Sequence, residues 1–155
     1  MIYKSFIILS FVFISTFSCQ NPSPENQKKL FPKNIKVFDL NIFASETTSD
    51  DKIVHAAKIL AQYLDNDEDG VVDNKVVHSM LKSRNASLVM FNNEFEAEIA
   101  WRSGVYEFPE NSQALFDEET IPSFDKSKSN PRFDASLEEI LHLITHEGYS
   151  HVYSE

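Results

Sequence analysis

Residues 65–73 have the sequence Asp-Asn-Asp-Glu-Asp-Gly-Val-Val-Asp and lie between two segments whose apolar residues recur at helical spacing. The segment before them predicts a helix over 51–64, on Ile53, Ala57, Leu60 and Leu64. The segment after them predicts a shorter helix over 74–83, on Val76, Val77, Met80 and Leu81. The sequence therefore predicts a helix–loop–helix unit with an acidic loop.

The carboxylates of this loop have a spacing that suits a cation. Asp65, Asp67 and Asp69 alternate along the chain, and a curling backbone can direct alternate side chains to one point. Gly70 allows the sharp bend that such a curl needs. Because the clustered charges repel one another unless a cation neutralises them, we predict a divalent ion here. The alternative is a solvated acidic turn, since Asp, Asn and Gly favour turns on their own.

The loop at 65–76 resembles the calcium loop of EF-hand and dockerin-type modules. The resemblance implies carboxylate ligands at loop positions one, three and five, a backbone carbonyl at seven and a water-mediated acid at nine, which here are Asp65, Asp67, Asp69, Val71 and Asp73. Val76 stands at position twelve, where the family has a bidentate Glu, so water or another carboxylate must complete the shell. If neither does, the affinity is low, as in extracellular modules with Kd of about 10⁻⁴ to 10⁻³ M. A single loop favours a structural ion over a switch.

A second group of polar residues lies near the C-terminus. A helix beginning at Asp134 or Ser136 would place Glu139, His142 and His146 on its polar face, at i, i+3 and i+7. Two imidazoles and a carboxylate predict a second metal site, for Zn²⁺, if water or a fourth ligand joins. Alternatively, Ser136 and Glu139 form a capping box at the helix start, and histidines on a solvated face need no ligand.

The segment His146-Glu147-Gly-Tyr-Ser-His151 resembles the H-E-x-x-H motif of zinc peptidases, with one extra residue between the histidines. In an α-helix His151 would lie about 140° around the axis from His146, so the resemblance implies a site only if a bulge at Gly148 corrects the spacing. The alternative function is therefore a metal-dependent hydrolase that uses the helix of His142 and His146. No catalytic residue can be assigned, and we predict a protein without enzymatic activity.

The N-terminus has the features of an export signal. Lys4 precedes a largely apolar stretch over 6–17, too short for a bilayer that needs about 20 residues, so residues 1–18 are predicted to be a cleaved signal peptide. Cys19 follows a small residue and resembles the lipobox cysteine of bacterial lipoproteins, which implies acylation, a membrane anchor and a place in the cell envelope. Residues 19–34 are predicted to be this cysteine and a flexible tether. The alternative is a secreted protein.

Composition limits the remaining possibilities. The 155 residues carry 24 acidic and 14 basic side chains, a net charge of −10, and three glycines. No basic block is available to neutralise phosphates, so we predict no nucleic-acid partner, and divalent cations are the expected partners. The sequence identifies no protein partner. Mixed elements predict an α+β fold for one domain over 35–155, with strands at 35–44, 87–91 and 113–116, a helix at 94–102 and a polar loop at 121–133.

The acidic run at 117–119 is predicted to be a solvated surface feature. The isolated His55 and His78 are predicted to be interfacial or surface residues and not ligands. The chain ends at Glu155, directly after the histidine helix. We therefore expect that any further ligand for that helix belongs to a longer protein.

Overall fold

The structure, a computed structural model, describes residues 30–123 and 132–153. The predicted signal peptide, Cys19 and the first part of the predicted tether, up to residue 29, lie outside the described residues, as does the greater part of the predicted polar loop, at 124–131. Most of the domain predicted over 35–155 lies within the two described ranges.

A mixed sheet of four strands forms the centre of the domain. In the order β1-β2-β3-β4, the first two strands are antiparallel and the other two neighbouring pairs are parallel. The strands are β1 (Lys33–Val37), β2 (Leu40–Ala44), β3 (Ser87–Phe91) and β4 (Ser112–Phe116). Parallel neighbours require crossover connections, and helices supply both of them.

The helices lie between and after the strands. They are α1 (Asp50–Leu64) and α2 (Lys75–Ser83) between β2 and β3, α3 (Glu94–Ser103) between β3 and β4, and α4 (Ala135–Ile144) after β4. A 3-10 turn follows β4 at Asp117–Glu119, and α4 continues through a π-helical turn, Thr145–Tyr149, into the short α5 (Ser150–Val152). Four strands with helices that do not strictly alternate with them confirm the predicted α+β class.

Both faces of the sheet are covered. One apolar cluster joins β2, β3 and β4 to α1, α2 and α4, and the other joins the opposite face of β3 to α3. Side chains alternate along β3, so that Leu88 and Met90 belong to the first cluster while Val89 and Phe91 belong to the second. Burial on both faces explains why this strand is a continuous apolar run, as is usual for parallel strands with two covered faces.

The prediction of one strand over 35–44 was wrong, because a two-residue turn divides it. Phe38 and Asp39 have φ values of 46° and 67°, the pair of left-handed residues that a tight hairpin needs. Neither is glycine, and two contacts from α2 hold the turn. His78 Nε2 lies 2.7 Å from the Phe38 carbonyl oxygen, and Lys82 Nζ lies 2.7 Å from Asp39 Oδ2. The hydrogen bond from Lys82, together with its charge, lowers the pKa of Asp39.

The predicted tether extended too far toward the domain. Phe31 is buried in the second apolar cluster, and β1 begins at Lys33. The Lys33 ammonium group donates to the Thr48 carbonyl at 2.6 Å and to Asp50 Oδ1 at 2.8 Å. The apolar side chains of Leu30 and Phe31 explain the difference, because they bring the end of a polar segment into the core.

The prediction of a solvated acidic run at 117–119 was wrong for Asp117, which is buried. Its Oδ2 accepts a hydrogen bond of 2.7 Å from the backbone N–H of Ser49, directly before α1. Lys52 Nζ lies 3.4 Å from Asp117 Oδ1 and donates to the carbonyls of Asp117 and Thr120. Burial alone would raise the pKa of Asp117, but the hydrogen bonds from Ser49 and the charge of Lys52 lower it. Asp117 thus ties the end of β4 to α1.

The π-helical turn packs on α2 through Gly148. A Cβ added there would lie 2.8 Å from Val77 Cγ1 and 3.2 Å from Leu81 Cγ. Alanine normally stabilises a helix by about 1 kcal/mol relative to glycine. We expect Gly148→Ala instead to lower the free energy of unfolding by about 1–3 kcal/mol, because a side chain is forced into a filled space. Urea denaturation measures the difference.

Removing the obstructing methyl group provides the control. In the variant with both Gly148→Ala and Val77→Ala, the loss of stability should be smaller than the sum of the two single losses. A Gly148→Ala protein more stable than the wild type would contradict the close contact with Val77.

Candidate metal centre

The acidic loop is held at both ends by the helices it joins. Asp65 is the C-cap of α1, and Asn74 is the N-cap of α2. The Asn74 side chain accepts a hydrogen bond from the backbone N–H of Val77 at 3.1 Å. The Asp73 N–H donates to the Leu64 carbonyl at 2.9 Å, so the two ends of the loop lie side by side. The predicted helix–loop–helix unit is therefore present.

Three carboxylates converge within this loop. Asp65, Asp67 and Asp73 each offer an oxygen, and the three oxygens all lie within 4.8 Å of one another. Among the described residues this is the only group of three or more His, Cys, Asp and Glu side chains that could hold a metal ion. Oxygens that share one Ca²⁺ at about 2.3–2.6 Å can lie up to about 5 Å apart, so this spacing can accommodate a single ion.

The backbone of the loop fixes the buried member of the group. Glu68 and Gly70 have φ values of 59° and 85°, and these left-handed residues curl the chain around Asp65. The N–H groups of Asp69 and Gly70 donate to the two Asp65 carboxylate oxygens at 3.1 and 2.9 Å. Asp65 is only 7% exposed, so its charge is placed inside the curl, with lone pairs remaining for a ligand.

The other predicted ligands have different environments. Asp69 is not part of the converging group, and its Oδ1 accepts a hydrogen bond from the Val71 N–H at 2.8 Å. Asp73 Oδ2 accepts from the Asn66 N–H at 2.9 Å and still belongs to the group. The carbonyl of Val71 stays a predicted ligand. Val76 is exposed in the first turn of α2 and contributes no carboxylate.

No counter-charge from the described part of the chain neutralises this group. The ion pairs among the described residues leave Asp65, Asp67 and Asp73 without a Lys, Arg or His partner. Carboxylates this close together repel one another, and a bound cation relieves the repulsion. The loop can therefore hold a metal ion through Asp65, Asp67 and Asp73.

The second candidate site is on the exposed face of α4. His142 and His146 line one shallow cleft of about 470 Å³, together with Gln113, Thr145 and Ser150. Glu139, the predicted third ligand, accepts a hydrogen bond of 2.5 Å from Gln113 Nε2, and its Oε2 lies 3.8 Å from His142 Nδ1. Its carboxylate is thus held beside the His142 ring.

The predicted capping box of Ser136 and Glu139 was wrong. Asp134 caps α4 instead, its Oδ1 accepting from the Ser136 N–H at 3.2 Å and from the Ser136 hydroxyl at 2.6 Å. His55, predicted to be an interfacial or surface residue, is the other partner of Asp134, with Nε2 at 2.7 Å from Oδ2. Glu139 therefore takes no part in capping α4.

The π-helical turn supplies a bulge at the position where the zinc-peptidase resemblance requires one. Glu147 lies in this turn, buried, with Oε1 at 2.9 Å from His146 Nδ1 and Oε2 at 2.8 Å from Arg84 Nε. Burial opposes ionisation, but His146 and Arg84 outweigh it and lower the pKa of Glu147. Glu147 is thus an ionised group held between His146 and Arg84, while His151 is exposed.

Two residues that shape this second site were missed by the sequence analysis. Arg84 follows α2 and holds Glu147, while Gln113 lies in β4 and holds Glu139. Both are far from the histidines along the chain, and no local pattern marks them. Only the fold brings them to α4.

Comparisons of the chain with models of known protein families, with curated proteins and with solved structures gave no match. None of the helices in the described ranges combines the length and the apolar character required to cross a bilayer. The function is therefore inferred from the geometry of the two groups of side chains.

Proposed function

We propose that the chain is a calcium-binding domain of an exported lipoprotein, in which the ion has mainly a structural role. The observation that carries the proposal is the convergence of the Asp65, Asp67 and Asp73 oxygens within 4.8 Å. An all-oxygen set favours a hard cation over Zn²⁺, which is usually bound through nitrogen and sulfur. Mg²⁺ demands a near-ideal octahedron, whereas Ca²⁺ accepts irregular sets of 6–8 oxygens.

The same site suggests low affinity and a calcium-rich compartment. Three protein carboxylates leave several positions to water and to the Val71 carbonyl, which agrees with Kd of about 10⁻⁴ to 10⁻³ M. Such a site would be occupied at the calcium concentrations found outside cells, but it would be almost empty at those of a cytosol. The proposed export signal at 1–18 and acylation of Cys19 would place the domain in that environment, anchored to a membrane surface.

A structural role follows from the position of the loop. The ion would tie Asp65, at the end of α1, to Asp73, directly before Asn74 and α2. Both helices contribute to the large apolar cluster on the sheet. Binding to the native state alone would therefore stabilise the α1–α2 connection and, through it, the domain.

Calcium should raise the free energy of unfolding of the purified chain. At calcium concentrations of 10 to 100 times Kd, a ligand that binds only the native state adds about 1.4–2.7 kcal/mol. Urea denaturation in calcium and in chelator measures this difference, and magnesium at the same concentration tests the choice of ion.

Two matched variants make the experiment specific to the site. Asp67→Asn removes one charge of the group at an exposed position and should abolish most of the calcium effect. Glu68→Gln removes the neighbouring charge outside the group and should retain the effect. Unfolding curves of the wild type that coincide in calcium and chelator would refute the proposal.

A further inference from the structure

His142, in α4, and His146, in the π-helical turn that continues it, line the same cleft. His142 and His146 are four residues apart, and the intervening Ile144 and Thr145 have α-helical dihedrals, φ −67°, ψ −41° and φ −71°, ψ −45°. Side chains at this spacing are neighbours on one helix face, with Cβ atoms about 5–6 Å apart. The π-helical turn begins within this pair, at Thr145, and His146 is its second residue.

A carboxylate supports the ring of His146. Its Nδ1 lies 2.9 Å from Glu147 Oε1, and Arg84 holds the other oxygen of Glu147. The Glu147 side chain is only 11% exposed, so this hydrogen-bond partner of His146 is held in place by the surrounding structure. A carboxylate that accepts from Nδ1–H selects the tautomer in which Nε2 has a free lone pair. This arrangement is typical of metal-binding histidines.

A second carboxylate lies beside His142. Glu139 Oε2 is 3.8 Å from His142 Nδ1 and accepts a hydrogen bond from Gln113, which belongs to β4. On the other edge of the ring, Glu138 Oε1 lies 4.0 Å from His142 Nε2, and its side chain is half exposed. The two imidazoles therefore each have an anchored carboxylate near Nδ1, and His142 has an additional oxygen near Nε2.

We propose that His142 and His146 form a binding site for a divalent transition-metal ion of the Zn²⁺ and Cu²⁺ class, coordinated through Nε2 of each ring. Glu139 and Glu147 act as positioning residues that hold the rings from the Nδ1 side. Water in the cleft completes the coordination. Imidazole nitrogen suits these ions and not Ca²⁺, so this site is chemically distinct from the acidic loop and does not depend on the proposed function.

Zinc titration of the full chain tests the proposal. The protein carries Cys19→Ser, so that the thiol cannot bind zinc, and excess Ca²⁺ keeps the acidic loop occupied. Isothermal titration should show one equivalent of Zn²⁺. Removal of an orienting partner typically weakens metal binding by about 10–100-fold, and loss of a direct ligand should weaken it by at least about tenfold. His142→Ala and His146→Ala should each show this loss.

His151→Ala is the matched control, because His151 is also exposed near the end of the same helical segment. It should bind zinc as the parent does. Unchanged zinc binding in either His142→Ala or His146→Ala overturns the proposal. So does a loss in His151→Ala, because the site would then span the π turn.

Gln113→Leu tests the positioning role of Glu139. It should weaken zinc binding by about tenfold, since Glu139 loses its anchor beside His142. The calcium-saturated protein without zinc should keep its unfolding midpoint. A change in the midpoint with unchanged zinc affinity would show that Gln113 is merely structural and overturn this part of the proposal.

Discussion

Replacing Phe91 with alanine should lower the free energy of unfolding by about 3–5 kcal/mol, the largest loss that we expect from a single substitution in this chain. Phe91 ends β3 and is fully buried. Its ring centroid lies 5.4 Å from that of Phe31, 6.1 Å from Trp101 and 6.2 Å from Phe108. The substitution removes the centre of this aromatic group and leaves a cavity. Urea denaturation at constant calcium measures the loss.

An exposed phenylalanine gives the comparison. Phe95 lies in α3 on the same side of the sheet but is 70% exposed, so Phe95→Ala should cost less than about 0.5 kcal/mol. Equal losses for Phe91→Ala and Phe95→Ala would show that the aromatic group does not form the core of this layer.

Replacing Asp134 with alanine should cost about 2–4 kcal/mol, because one side chain supports several groups. Its Oδ1 accepts from the Ile121 N–H at 3.1 Å and from the Ser136 N–H and hydroxyl, and its Oδ2 lies 2.7 Å from His55 Nε2. Ser136 is fully buried, so its hydroxyl would be left without a partner. The variant loses the cap of α4 and the connection of α4 to α1 together, and thermal or urea unfolding reports the loss.

The charge of Asp134 makes part of this effect depend on pH. Burial alone would raise the pKa of Asp134, but hydrogen bonds from His55, Ser136 and Ile121 lower it. A carboxyl whose pKa is lower in the folded state stabilises the protein above its unfolded pKa, near 3.9, and loses this contribution as the pH falls through the folded pKa. The advantage of the wild type over Asp134→Asn should therefore be full near neutral pH and shrink below about pH 4. An advantage that is independent of pH would contradict this assignment.

Local sequence patterns correctly predicted the elements whose buried residues recur at a regular spacing. The apolar run at Ser87–Phe91 was predicted correctly as a strand because both of its faces are covered. The helix at Asp50–Leu64 followed from one buried stripe. The division of 35–44 was missed because its turn contains Phe38 and Asp39 in place of glycine. That turn is held by residues of α2 about forty positions away, which no local pattern shows.

The candidate sites show the same limit. The alternating spacing predicted that Asp65, Asp67 and Asp69 converge, whereas the structure brings Asp65 and Asp67 together with Asp73. The sequence did not reveal that Asp69 accepts a hydrogen bond from the Val71 N–H. Several side chains of the loop compete for the same backbone N–H groups, and the local backbone dihedrals decide which of them accepts. Glu147 belongs to the segment that resembles the zinc-peptidase motif, and the fold brings Arg84 against its carboxylate from 63 positions away, which the motif does not show.

The acidic loop has a bearing on how the sheet assembles. It lies within the crossover that separates β2 from β3, two parallel strands that are neighbours in the sheet. Closing a long connection costs chain entropy before the strands can pair. A cation that binds Asp65 and Asp73 early in folding would shorten that connection. The ion would then have its greatest effect on the rate at which β2 and β3 pair.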